Sequence, residues 1–394
     1  MKKIIILTIL INIIFLSGCS DARELTDLEL ITAIGLEKAK DGYKVSIQLL
    51  NNSELGGEKT RGSTVVSVYS IEAKTTFEGL RKITNQSSRK LYASSMDILV
   101  IDEQLAKDGI MDILDFFMRD NEFNNNVLII LSRDVKAEEI LSIKTPMERN
   151  PMVKIRNSVV NNQNVYGSLV LYSLEDLLKI LLEPGVSPVI SAFTIEGDKK
   201  AMSERENIET IKTKAILTGR NVGVFADDKL VGYLSETETI GYNFIKNRIK
   251  STVLSVEYNG KRIVLEVMNS KAKIKIKKNE NQIDAEVKID IKGGISEVLA
   301  EIDFDDKNEI KKLITLFEEE IKRIVNSTIT VSQKKHKSDI LGIGNLIYKK
   351  YPKYYQQFEN NWNDEYPKVN IKTNISIDIV SIGKTNNSLM KGNK

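Results

Sequence analysis

Two runs in the last third of the chain decide the fold class: Lys271-Ala272-Lys273-Ile274-Lys275-Ile276-Lys277 and Ile283-Asp284-Ala285-Glu286-Val287-Lys288-Ile289-Asp290-Ile291. Each alternates apolar and polar residues with a period of two, the pattern of a strand with one buried face. The polar stretch Lys278-Asn279-Glu280-Asn281 between them reads as a turn, and across it the parity reverses. If the two runs form a hairpin, both apolar sets must share one face. Facing residue numbers must then sum to an odd value, which requires an even-numbered loop. The same register sets lysines opposite aspartate and glutamate on the wet face, where cross-strand pairs are mildly favourable. The lysine row is therefore expected to be a solvated sheet face rather than a phosphate patch.

Working outward, a long helix follows, with Ile310, Leu313, Ile314, Phe317, Ile321, Ile324 and Val325 in one apolar stripe. Val369, Ile371, Ile375, Ile377 and Ile379 then alternate with polar residues as a half-buried strand, and a polar tail begins at Gly383. The first half mixes signals. Strands are predicted at Leu30–Leu36, Tyr43–Leu50, Thr64–Ile71, Asp97–Ile101 and Val127–Leu131. Helices are predicted at Thr75–Asn85, Leu105–Arg119 and Leu174–Leu182, the last stopped by Glu183-Pro184-Gly185. Strands and helices without a regular βαβ rhythm predict an α+β protein with antiparallel or mixed sheets packed by helices.

The opening residues carry a separate message. Met1-Lys2-Lys3 is a short positive start, and Ile4–Leu16 is an apolar run broken only by Thr8 and Asn12. That run is shorter than the roughly 20 residues a spanning helix needs, but it fits the apolar part of a cleavable signal peptide. Leu16-Ser17-Gly18-Cys19 then resembles a lipobox, so residues 1–18 are expected to be removed and Cys19 to take a diacylglycerol on its sulfur. Two acyl chains on one residue meet the two-signal requirement for stable membrane anchoring.

Composition narrows the function. The formal charge of +3 falls to +1 once Lys2 and Lys3 are removed, which gives nucleic-acid binding no support. Cys19 is the sole cysteine, so disulfides and thiolate metal sites are excluded. The single histidine, His336, lies in Lys334-Lys335-His336-Lys337, where three cations disfavour both its protonation and a bound metal; it is expected in a solvated loop. No Walker A or G-x-G-x-x-G phosphate loop occurs. Gly219 and Gly223 lack a strand-to-helix context and read as close-packing glycines feeding a strand. Asp227-Asp228 and Asp303-Asp305-Asp306 read as solvated turns, and Arg119-Asp120-Asn121-Glu122-Phe123 as a helix end with local ion pairs. No catalytic residue, cofactor site or metal site is predicted.

Several segments in order resemble the Ger(x)C family, the lipoprotein C subunits of nutrient germinant receptors in spore-forming bacteria. Asp21-Ala22-Arg23-Glu24-Leu25 is similar to the family's opening after the lipid cysteine, with Ser20 where a tryptophan is usual. Arg119–Phe123, Pro184-Gly185-Val186-Ser187-Pro188 and Gly223–Leu234, followed by Glu238 and Gly241, are similar to its internal motifs. Asp339-Ile340-Leu341-Gly342-Ile343-Gly344, Lys350-Tyr351-Pro352-Lys353-Tyr354-Tyr355 and Trp362 resemble its C-terminal signature, with Tyr355 at a position often held by tryptophan.

The resemblance implies three α+β domains, whose edges we place at 19–192, 193–250 and 251–394. It implies a non-enzymatic role in nutrient-triggered germination, beside integral-membrane A and B subunits at the outer face of the inner spore membrane. The candidate structural or partner-surface residues are Arg119, Asp120, Glu122, Gly232, Glu238, Gly342, Gly344, Tyr351, Pro352 and Trp362. The competing class is the solute-binding lipoprotein of a transporter, which has two βαβ-rich lobes around a ligand cleft.

Overall fold

The computed structural model describes residues 28–51, 64–279 and 283–383; the lipobox Leu16–Cys19 and the tail beyond Gly383 lie outside them. Three strands open the chain as an antiparallel meander: β1 (Leu28–Lys38), β2 (Tyr43–Leu50) and β3 (Val66–Ala73). Helix α1 (Thr76–Ile83) starts on Thr75, whose hydroxyl accepts the Glu78 N–H. The short β4 (Lys90–Tyr92) then lies parallel beside the start of β1. Next come β5 (Ile98–Asp102), α2 (Glu103–Asp108), α3 (Met111–Arg119), β6 (Leu128–Ser132), α4 (Ala137–Ser142), α5 (Pro151–Val165) and α6 (Leu174–Leu182). The unit is completed by β7 (Val189–Gly197), α7 (Glu206–Glu209), the hairpin of β8 (Ala215–Ala226) and β9 (Lys229–Leu234), and α8 (Glu236–Ile245).

All nine strands join one mixed sheet in the order β3-β2-β1-β5-β6-β7-β8-β9, with β4 beside β1. The centre β1-β5-β6-β7 is parallel and both flanks are antiparallel. β5 and β6 are buried along their whole length, in keeping with the apolar runs Ile98–Ile101 and Leu128–Leu131. Helices cover both faces. Ile98, Val100, Leu128 and Ile130 pack with Ile140 of α4 and Ile155 of α5 on one side. Leu99, Ile101, Ile129 and Leu131 pack with Ile113 and Phe117 of α3 on the other.

The helix expected over Leu105–Arg119 is two helices. Gly109 sits at φ +135° and ends α2, while the Ile110 and Met111 N–H groups donate to the Asp228 carbonyl (3.0 Å) and carboxylate (3.2 Å). The β8–β9 turn thus supplies acceptors to the start of α3, and a Cβ on Gly109 would come within 2.6 Å of Asp228 Oδ2. The expected edge at 192/193 falls inside β7, which hydrogen-bonds β6 and β8, so the sheet is continuous across it. The edge near 250 falls in the connection from α8 to the second sheet.

That second sheet has the order β10-β11-β12-β13, from β10 (Thr252–Tyr258), β11 (Lys261–Lys278), β12 (Ile283–Val298) and β13 (Asn370–Ser381). The hairpin register has Lys271 facing Asp290, Ala272 facing Ile289 and Ile276 facing Ala285, each pair summing to an odd number. Ile276, Ala285, Val287 and Ile289 are buried on the core face, and the lysines of β11 are exposed. Lys275 faces Glu286 and Lys277 faces Asp284, but Lys273 faces Lys288. Helix α9 (Lys307–Thr330), capped by Asp306, lays Leu313, Phe317, Ile321, Ile324 and Val325 on this sheet; Ile310 and Ile314 are partly buried at its edge. Each fully buried side chain of that size stabilises by about 1.5–3 kcal/mol. Three short helices, α10 (Ile343–Lys350), α11 (Pro352–Tyr355) and α12 (Trp362–Glu365), lead into β13, which joins β12 in parallel. No helix among the described residues is long and apolar enough to cross a membrane.

Candidate functional site

Helix α9 does not stop at Thr330. It continues as a wider π-helical turn, Val331–His336, and ends at Lys337 in the left-handed region at φ +49°. This turn delivers Ser338 and Asp339 into the seam between the two sheets, where both are fully buried. Asp339 organises the seam. Its Oδ1 accepts the N–H groups of Gly342 (2.8 Å) and Ile343 (3.0 Å), and its Oδ2 accepts those of Gly344 (2.6 Å) and the Trp362 indole (3.0 Å). The donors are the open N-terminus of α10, where a carboxylate also meets the favourable end of the helix dipole. Burial raises the Asp339 pKa, against the pull of the Gly344, Ile343, Trp362 and Gly342 donors.

Distant motifs dock on this loop. The Ser187 N–H donates to the Asp339 carbonyl (2.9 Å), and the Asn345 N–H and side-chain amide donate to the carbonyls of Gly185 (3.0 Å) and Pro184 (3.1 Å). Gly344 is a close-approach glycine: a Cβ there would lie 2.5 Å from the Trp362 indole nitrogen and 2.8 Å from the Gly185 carbonyl. Gly342 needs its freedom for φ +78°, which lets the loop turn into α10. The Trp362 ring packs at a tilt against Tyr355 (5.6 Å between centroids) and Tyr366 (6.3 Å), and Tyr366 shares a 2.8 Å hydrogen bond with Ser332 of the π turn.

The β8–β9 hairpin closes the other side. The Ser338 hydroxyl donates to the Phe225 carbonyl at 2.5 Å, and Gly232 lies flat against the His336 ring, leaving no room for a Cβ. Ser235 and Glu238 form the reciprocal cap of α8. One turn on, Gly241 lets α8 approach α9, where the Thr328 hydroxyl donates to the Glu238 carbonyl at 2.7 Å.

Gly232, Glu238, Gly342, Gly344 and Trp362 are therefore brought to one junction, although they lie up to 130 residues apart. Tyr351 and Pro352 stand at its margin: Tyr351 ends α10, and Pro352 opens α11 at a position where proline needs no N–H. Arg119, Asp120 and Glu122 are elsewhere, at the end of α3. There Arg119 pairs with Asp115 (2.6 Å), Asp120 accepts the Glu122 N–H (2.9 Å), and Glu122 lies 3.9 Å from Arg81. Arg119 thus pairs back within α3, while Glu122 reaches across to α1.

His336 is a correction. It is 8% exposed, not a solvated loop residue, because the π turn rolls it inward against Gly232. Burial first, then Lys335, pulls its pKa down. Asp339 opens the signature segment Asp339–Gly344 but is not among the candidate residues; its role as acceptor for that loop and for the Trp362 indole is what sequence reasoning missed. Two clefts flank the junction. One, of about 610 Å³, is lined by Pro184, Gly185, Asp227, Asp228, Tyr355 and Trp362. The other, of about 630 Å³, holds Arg133, Tyr233, Glu238, Lys335 and His336, with the Arg133 guanidinium 4.1 Å above the Tyr233 ring. Among the described residues, no three histidine, cysteine, aspartate or glutamate groups gather as a metal site.

The fold and junction define a class: a two-sheet α+β protein whose separated motifs are spent on holding one seam together. Comparison with known proteins makes this specific. The family profile described as spore germination protein N-terminal domain matches residues 21–195, and that described as spore germination B3/GerAC like, C-terminal, matches 220–383. Spore germination protein KC of Bacillus subtilis (strain 168) is 30% identical over 98% of each chain. Spore germination protein B3 of the same organism is 21% identical over 93% of this chain and 95% of its own. The crystal structure of the GerBC protein superposes with a TM-score of 0.53 at 19% identity, covering 88% of this chain and 96% of that one, a likeness of fold. The chain belongs to the Ger(x)C family of spore germination proteins.

Proposed function

We propose that this chain is the lipid-anchored, non-enzymatic subunit of a germinant receptor complex, needed for nutrient-triggered spore germination. Diacylglycerol on Cys19 holds it at the outer face of the inner spore membrane, beside integral-membrane A and B subunits. The observation that supports this most is how the motif residues are used. All four donors around Asp339 come from the protein itself, and the ring of His336 is pressed against backbone. Such groups build a rigid platform for a partner rather than a nucleophile with its base. Deleting the gene in a strain without paralogues and scoring purified spores tests the reading. Loss of response to at least one nutrient is expected; normal germination on every nutrient would refute it.

The 610 Å³ cleft beside Trp362 favours one second reading, capture of a small solute. A ligand at 100 times its Kd adds about 2.7 kcal/mol of stability. A thermal-shift screen of amino acids and sugars that moves the melting temperature accordingly would favour it.

A further inference from the structure

The described chain begins at Leu28, nine residues after Cys19. Nine residues reach about 30 Å at full extension. From Leu28 to Lys38, β1 runs about 33 Å at roughly 3.3 Å per residue. A lipid on Cys19 therefore holds Leu28 within about 30 Å of the bilayer, and the Lys38 end of β1 lies about 33 Å from Leu28 along the strand.

The side chains at the Leu28 end suit that position. There β4 pairs with Leu28–Leu30 of β1 and carries Tyr92, 41% exposed. Phe77 of α1 is 45% exposed, with the Arg81 guanidinium 4.7 Å above its ring, but it lies toward the Lys38 end, because α1 opens three residues after Ala73, which pairs with Tyr43 opposite Lys38. Phe77 and Leu91 line a shallow pocket of about 130 Å³, rimmed by Arg81, Arg89 and Lys90. Arg89 and Lys90 are exposed and form no ion pair with a described residue; Asp120 and Glu122, also on the rim, are engaged by the Glu122 N–H and Arg81. An exposed tyrosine beside two cations without ion pairs among the described residues matches the headgroup layer, where aromatic rings sit at the interface and each Lys or Arg is drawn to anionic lipid.

We propose that this end of the first sheet lies on an anionic bilayer, with Tyr92 at the interface and Arg89 and Lys90 over lipid phosphates. The proposal rests on the reading of Cys19 as the anchor. Because Cys19 is the sole cysteine and acylation blocks its thiol, a newly introduced cysteine takes a fluorophore alone. Acylated Tyr92→Cys, Arg89→Cys and, in the turn at the far end of β1, Lys40→Cys are labelled. They are then floated with vesicles of phosphatidylcholine and phosphatidylglycerol that carry a headgroup nitroxide. Quenching at positions 89 and 92 should be at least about twofold stronger than at position 40. Bound protein with equal quenching, or with stronger quenching at position 40, overturns the orientation alone. Acylated protein that does not float with the vesicles overturns the orientation and the anchor together.

Discussion

At the scale of single residues, the seam between the sheets depends on Asp339. Replacing it with alanine leaves three backbone N–H groups and the Trp362 indole unpaired in a buried site. Each unmade bond costs about 1–3 kcal/mol, partly relieved by water, so Asp339→Ala should lower stability by about 3–5 kcal/mol in urea unfolding. A loss under 1 kcal/mol would show that the loop holds its shape without the carboxylate. His336 gives a pH test, since it is the only histidine. Burial and the Lys335 charge lower its folded pKa, while Tyr233 and Glu238 oppose them. The folded state then binds fewer protons than the unfolded state, so the neutral ring's contribution is whole above the unfolded value near 6.5 and declines below it. Wild type should lose stability between pH 7.5 and pH 5.5 more steeply than His336→Gln; parallel slopes would show that folding does not shift the ring's pKa. Neither role was legible in the sequence. The donors to Asp339 include a residue 23 positions away, and the flanking lysines of His336 imply a solvated loop unless the π turn is known.

At the scale of elements, periodicity was readable wherever one face meets water. Parity requires the odd sums seen across β11–β12, because a one-residue slip would expose every apolar side chain, and the 3.6-residue period marks the stripe of α9. What parity does not report is an interruption that keeps phase. Ile110, Ile113, Leu114 and Phe117 hold helical spacing past Gly109, yet the chain breaks there because Asp228, more than a hundred residues later, supplies the acceptors for α3. The hairpin also carries one mismatch to exploit. Lys273 faces Lys288 between two opposite-charge pairs. Lys273→Glu should therefore raise stability by about 0.2–1 kcal/mol at low salt, with the gain shrinking in high salt. An unchanged or lower unfolding midpoint would mean the exposed row makes no cross-strand contribution.

At the scale of the whole molecule, one face of the first sheet and the inner face of the second belong to one continuous apolar core, from Leu99 and Leu131 through Phe225 and Phe244 to Val287 and Phe317. A division at residue 192 looked natural in sequence because strand pairing between β6 and β7 spans more than fifty residues and leaves no local mark. Cys19 lies outside the described residues. Cys19→Ala should leave the unfolding midpoint within about 0.5 kcal/mol of wild type, measured on the soluble form, while losing acylation by mass spectrometry and impairing germination. A large stability loss would give the N-terminal segment a structural part instead. The central claim, a lipid-anchored subunit of a membrane complex, is tested most directly by affinity capture of the acylated protein from detergent-solubilised spore membranes. The expected result is recovery in the membrane fraction together with two integral-membrane proteins in constant ratio. Recovery of the chain alone, or from the soluble fraction with Cys19 unmodified, would contradict the account.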